Sequence, residues 1–180
     1  MDEHFIALWN VENLFDVATS PHRSEKLKKQ LKGELKGWTA AVLDTKLGQL
    51  AKVVGQMNGG AGPDILGVCE VENRQVLDKL AARLSTGGRT YGVAHADAQD
   101  SRGIDVAFLY DSGRYQVAET FQHFVQKRTA TRDIFQANVT MPSGRTLVLV
   151  GNHWPARRGS QYDGEPYRMY RWTLPLDRTR

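Results

Sequence analysis

Cysteine is almost absent from the sequence: Cys69 stands alone, which excludes an intramolecular disulfide and any multi-cysteine zinc site. Long apolar runs are missing too, so no segment reads as a membrane span. Met1-Asp2-Glu3-His4 opens the chain without a basic region and apolar stretch, so no signal peptide is read and a cytoplasmic location is the default expectation. A large charge surplus is also lacking, since the formal net charge is only +4. What is present suffices for one core: 180 residues, 41% hydrophobic and 24% charged, fit a single α/β-type domain.

The charge is unevenly spread. His22–Lys36 holds six bases (Arg23, Lys26, Lys28, Lys29, Lys32, Lys36) against Glu25 and Glu34. Residues 157–180 hold six arginines against Asp163, Glu165 and Asp177. Two basic segments beside a net acidic remainder suit a polyanionic or phosphate ester ligand, or else two solvated loops.

Phe5–Val11 reads as a buried strand, and 16–37 as a long polar surface loop punctuated by Pro21, Gly33 and Gly37. Thr39 caps a helix whose Leu43, Leu47, Leu50, Val54 and Met57 recur at spacings of four and three. Asp64–Glu70 reads as the next strand, and Asn73 caps a second helix carrying Val76, Leu77, Leu80, Ala81 and Leu84. Short strands follow at 91–95, 104–110, 115–125, 134–141 and 146–152, the last two joined at Pro142-Ser143-Gly144. The expected architecture is α/β (α+β), a mixed sheet with helices on one face. The ordered core is expected over about 4–155, with 156–180 irregular, where tyrosines, prolines and arginines show no periodicity.

Three strand ends concentrate polar residues: Asn10 and Glu12, Glu70 with Glu72 and Asn73, and Asn152 with His153. Ligand groups collect at strand ends in open α/β sheets. A carboxylate, an amide and waters suit Mg2+, and a nearby histidine suits a phosphoryl oxygen. Each residue also has a plain structural reading. Asn10 fits a turn, Glu70 and Asn73 a helix start, and His153 a buried ring bound to backbone.

The strings WNVENLFD (9–16), PDILGVCEVEN (63–73), SRGIDVAFLYD (101–111) and GNHWPARRG (151–159), in this order, resemble the endonuclease/exonuclease/phosphatase superfamily. These are metal-dependent phosphodiesterases that include the deoxyribonuclease I-like enzymes. The resemblance covers about residues 4–170. It implies a four-layer α/β/β/α sandwich, of which the chain would be the first half, a single incomplete domain over 1–180. It implies that Asn10, Glu70 and His153 are catalytic, and that Glu70, Asn10 and Glu12 hold Mg2+ or Mn2+. Arg102, Asp105, Asn152, Arg157 and Arg158 would bind the substrate. Asp105 would stand at the site mouth, unless it merely pairs with Arg102.

The family's later Gly-Asp-x-Asn and terminal Asp-His strings do not occur in this sequence. The expectation is therefore a phosphodiester or phosphomonoester hydrolase, nuclease-like, with its activity weakened or lost. The alternative is a non-catalytic half-domain that binds phosphate or nucleic acid. The substrate is a phosphate ester, with DNA and RNA the leading candidates. A chain holding only the first sheet would expose alternate residues of Phe5–Trp9, Val106–Leu109 and Leu147–Val150, a face open to self-association.

Overall fold

The first strand, β1 (Ile6–Leu14), alternates its side chains between two layers, and this alternation organises the rest of the molecule. The computed structural model describes residues 3–23, 25–85, 88–98, 103–125 and 133–154. After β1 come α1 (Glu25–Gln30), α2 (Ala40–Gln56), β2 (Ile65–Val71) and α3 (Arg74–Leu84). The remaining strands are β3 (Tyr91–His95), β4 (Asp105–Asp111), β5 (Gln116–His123), β6 (Ile134–Thr140) and β7 (Thr146–Gly151).

Both long helices start where their caps place them. The Thr39 hydroxyl accepts the Val42 N–H at 3.3 Å, and the Asn73 side chain accepts the Val76 N–H at 2.9 Å. The leucine stripe of α2 is buried at Leu43, Leu47, Leu50 and Val54, and that burial holds the helix despite Gly48 and Gly55.

A four-stranded sheet has the order β1-β2-β4-β3, with β1 and β2 parallel and the other pairs antiparallel. Val11, Leu14, Leu66, Val68, Ala107 and Leu109 face the helices α2 and α3 and form the larger core. A second sheet, β5-β6-β7, is antiparallel throughout. Its Phe135, Ala137, Val139 and Leu149 pack on Ile65, Val106 and Phe108 of the first sheet. The rings of Phe108 and Phe135 stack with centroids 5.9 Å apart.

Two expectations are corrected here. The chain holds three strands of a second sheet, so Val106 and Phe108 are buried beneath it rather than exposed. Only the β1 margin of that face stays open, with Ile6 44% and Leu8 76% exposed. Val148 and Val150 are exposed as well; they pair with Asn138 and Gln136 on the far face of the second sheet.

The segment 16–37 is not a plain surface loop. It contains α1 and turns, and it buries Arg23 and Leu31. Leu31 packs with Phe15 and Ile104, and the Trp38 ring meets Phe15 edge-on. Leu27, Leu31 and Leu35 recur every four residues, but the lysines between them and the breakers Pro21, Gly33 and Gly37 mask that spacing, which is why the sequence pattern reads as a loop.

Candidate active site

Asn10, Glu70, Asp105 and His95 fall at one end of the first sheet, on four neighbouring strands. Here β1 and β2 run parallel and leave the sheet together, each through a register shift: Asn10 to Leu14 on one strand, Cys69 to Val71 on the other. Three residues in these irregular stretches adopt left-handed backbone: Glu12 (φ 53), Asn13 (φ 57) and Glu70 (φ 66). Non-glycine residues rarely do so, and such bulges re-aim side chains at strand ends.

The Asn10 side-chain oxygen accepts the Glu12 N–H at 2.9 Å and so closes the β1 turn. One Glu70 oxygen, Oε2, accepts the Asn13 N–H at 3.1 Å, which ties β2 back to the β1 turn. The other, Oε1, lies 3.4 Å from His153 Nε2. Both side chains are mostly covered, at 15% and 18% exposure, yet neither is sealed from solvent.

Gly151 makes this meeting possible. A Cβ at that position would stand 2.6 Å from Val106 Cγ1 and 3.0 Å from Phe108 Cζ. Only a residue without a side chain lets the end of β7 come this close to β4, and Asn152 and His153 follow directly. Asn152 is exposed at the strand exit.

Lys46 of α2 carries no motif, and sequence patterning passes over it as a helix-surface residue. Its ammonium donates to the Glu12 carbonyl at 2.5 Å. Partial burial lowers its pKa, against the opposing pull of the Glu12 and Glu70 carboxylates. With Trp9, Asn10, Glu12, Trp38 and Thr45 it lines a cavity of about 580 Å3 beside the strand ends. Glu70, Glu12 and the Asn10 amide offer only oxygen donors, and the Glu12 and Glu70 carboxylates favour a cation nearby. Both properties fit Mg2+, which prefers hard oxygen ligands and retains waters.

Asp105 is buried and turned toward His95, not exposed at the mouth. Its Oδ2 lies 2.9 Å from His95 Nε2, and its Oδ1 accepts the Ala98 N–H at 3.1 Å. Burial pushes the Asp105 carboxyl up, against the downward pull of His95. Arg102, Arg157 and Arg158 lie outside the described residues.

Glu72 serves the fold rather than the site. It forms a buried ion pair with Arg23, whose Nη2 lies 2.6 Å from Oε2, and Oε2 also accepts the Asp16 N–H at 2.7 Å. Arg23 additionally donates to the carbonyls of Asp16, Val17 and Ala18. The stretch after β1 is thereby clamped to the end of β2.

Two face-packed sheets, with helices on the outer side of the first, form an α/β sandwich whose acidic residues Glu12, Glu70 and Asp105 gather at one end of the first sheet. The family model described as "Endonuclease/Exonuclease/phosphatase family" matches residues 5–175, and the chain belongs to that family. No curated protein matches the sequence. Among solved structures, a mannosyl-6-phosphatase of Bacteroides thetaiotaomicron aligns with a TM-score of 0.50 at 14% identity, over 82% of this chain and 50% of its own. An endonuclease/exonuclease/phosphatase protein of Bacteroides vulgatus gives 0.50 at 13% identity, over 82% and 51%. TDP2 from C. elegans gives 0.49 at 21% identity, over 68% and 34%. The chain thus spans about half the length of the first two. No helix among the described residues is long and apolar enough to cross a membrane.

Proposed function

We propose that this domain is a Mg2+-dependent phosphoester hydrolase centred on Glu70. The observation that carries the reading is the convergence of Glu70 with His153 and the Asn10 turn at adjacent strand ends. Glu70 is the principal metal ligand, with Glu12 and the Asn10 amide beside it; Mn2+ is the alternative ion. When bound, the ion neutralises charge on the phosphoryl group and the departing oxygen.

The chain's own groups do the rest. His153 donates to a non-bridging phosphoryl oxygen through Nε2, the atom that faces Glu70. Asn10 fixes the turn that holds Glu12, and Lys46 supplies a further cation for the substrate phosphate. Asn152, Arg102, Arg157 and Arg158 contact the substrate, the arginines by bidentate pairing with phosphate. The basic segments favour a nucleic acid as the ester, DNA or RNA.

Activity of the 180-residue chain by itself is weak, because its sequence lacks the Asp-x-Asn and Asp-His strings. A lost general base typically costs about 10^2 to 10^4 in rate. A second reading, a non-catalytic phosphate- or nucleic-acid-binding half-domain, draws support from the Arg157-Arg158 pair and the missing strings, while exposed Ile6 and Leu8 suit self-association.

The test combines Mg2+ calorimetry with hydrolysis of bis(p-nitrophenyl) phosphate and nicking of supercoiled DNA. Glu70→Gln is expected to abolish both Mg2+ binding and any residual turnover, and His153→Ala to lower turnover while Mg2+ still binds. Salt-dependent DNA binding without turnover selects the second reading. Mg2+ binding unchanged in Glu70→Gln refutes the assignment.

A further inference from the structure

A second constellation lies next to Glu70 along the sheet end, with Asp105 on the adjacent strand β4 and His95 one strand further on β3. His95 ends β3, Asp97 follows it by two residues, and Asp105 opens the antiparallel neighbour β4. One ligand atom from each lies within 4.8 Å of the other two. His95 Nε2 stands 2.9 Å from Asp105 Oδ2 and 3.9 Å from Asp97 Oδ1.

These separations suit ligands of one ion. Donors each about 2.0–2.2 Å from a zinc ion, at tetrahedral or octahedral angles, stand roughly 3.0–3.5 Å from one another. The first separation lies close to that range, and the second enters it by a rotation of Asp97. Among the described residues the rotation is open to it, because the Asp97 side chain is 84% exposed. The other two side chains are 3% and 4% exposed, so they are fixed and dry.

The pair is held from behind. The Ala98 N–H takes Asp105 Oδ1 and leaves Oδ2 turned to the imidazole. The Asp97 carbonyl accepts the Gln122 side chain at 2.7 Å, which pins the turn to β5. Two buried, pre-oriented donors and one adjustable exposed carboxylate thus bring three potential ligand atoms to one place. A plain buried His–Asp pair needs no third carboxylate at this distance.

We propose that His95, Asp97 and Asp105 form a second divalent-cation site, distinct from Glu70 and selective for Zn2+ over Mg2+. An imidazole nitrogen with two carboxylates is a donor set that zinc accepts readily, whereas magnesium prefers oxygen throughout. The proposal is independent of the function assigned to Glu70.

The test uses the full chain stripped with chelator, with Zn2+ for calorimetry and Co2+ as the spectroscopic probe. The Glu70→Gln protein is expected to bind one equivalent of Zn2+ and to give a Co2+ absorption band. Adding Asp97→Ala should weaken Zn2+ binding at least about tenfold while the melting temperature of the metal-free protein stays unchanged. His95→Asn should abolish the Co2+ band, with circular dichroism confirming the fold. Because Asp97 is exposed, its replacement tests the site even if His95→Asn unfolds. Failure of Glu70→Gln to bind Zn2+, or undiminished affinity in the Asp97→Ala protein, overturns the site.

Discussion

Glu72→Gln is expected to be among the most damaging single-atom changes in the described fold. The substitution keeps the shape of the side chain but removes its charge. Arg23 then remains at 0% side-chain exposure with no carboxylate to answer it. Its other partners are the carbonyls of Asp16, Val17 and Ala18, which carry no net charge. Breaking one side of a buried pair costs about 3–5 kcal/mol. For a domain of this size each kcal/mol moves the midpoint by about 2–4 °C, so Tm should fall by roughly 6–20 °C. Thermal unfolding followed by far-UV circular dichroism measures it. The control is the double change Arg23→Met with Glu72→Leu. It replaces the pair by apolar volume and should recover most of the loss, since desolvated ion pairs often exceed no hydrophobic substitute. A Tm within about 2 °C of the parent for Glu72→Gln, or a double variant worse than the single one, would show that the clamp is not what holds the 15–23 stretch.

Gly151→Ala should cost about 1–3 kcal/mol through overpacking, because its Cβ would press on Val106 Cγ1 at 2.6 Å. The end of β7 must then retreat, and the His153 ring resonances should shift toward those of an exposed histidine; unchanged resonances would contradict the close-approach argument. Asp64 anchors the opposite end of the sheet, accepting the Phe5 N–H at 2.7 Å and Arg89 at 2.6 Å. Burial alone would raise its carboxyl, but these hydrogen bonds and the charges of Arg114 and Arg89 hold it below the usual range. A depressed folded-state value means that this stabilisation is complete above the unfolded value, about 3.9, and is lost as pH falls through the folded one. Asp64→Asn should therefore cost about 2–3 kcal/mol at pH 7, with the gap to the parent narrowing below about pH 4. A gap independent of pH would refute the linkage.

The elements with periodic or capped signals were legible from the residues. The leucine stripe of α2 and the caps at Thr39 and Asn73 place both long helices within a residue of their observed starts. The Pro142-Ser143-Gly144 turn marks the β6–β7 hairpin. Partition of the strands between two sheets was not legible. Nothing in the alternation of Phe135, Ala137 and Val139 says whether they continue the first sheet or cover it. Arg23 and Leu31 were hidden inside a basic segment because their burial depends on partners 49 residues away at Glu72 and 73 residues away at Ile104. Lys46 was hidden for the converse reason. A lysine on a helix is usually solvated, and only the tertiary fold puts its ammonium on the Glu12 carbonyl.

The left-handed residues explain why Glu70 stands at a site at all. Leu66 and Val68 turn toward the helices, and strict alternation would send position 70 the same way, into an apolar layer where a carboxylate is costly. The φ of 66 at Glu70 breaks that alternation and brings its two oxygens to the Asn13 N–H and the His153 ring. Glu12 and Asn13 carry the matching irregularity on β1, so the two parallel strands depart from the ladder together. Among the described residues the only other non-glycine with positive φ is Asn58, in the turn that ends α2. Among the described residues, backbone strain of about 1–2 kcal/mol per residue is thus concentrated where the acidic groups converge. The clamp between Arg23 and Glu72 lies one step further along both exits, where it can hold the strained backbone in place.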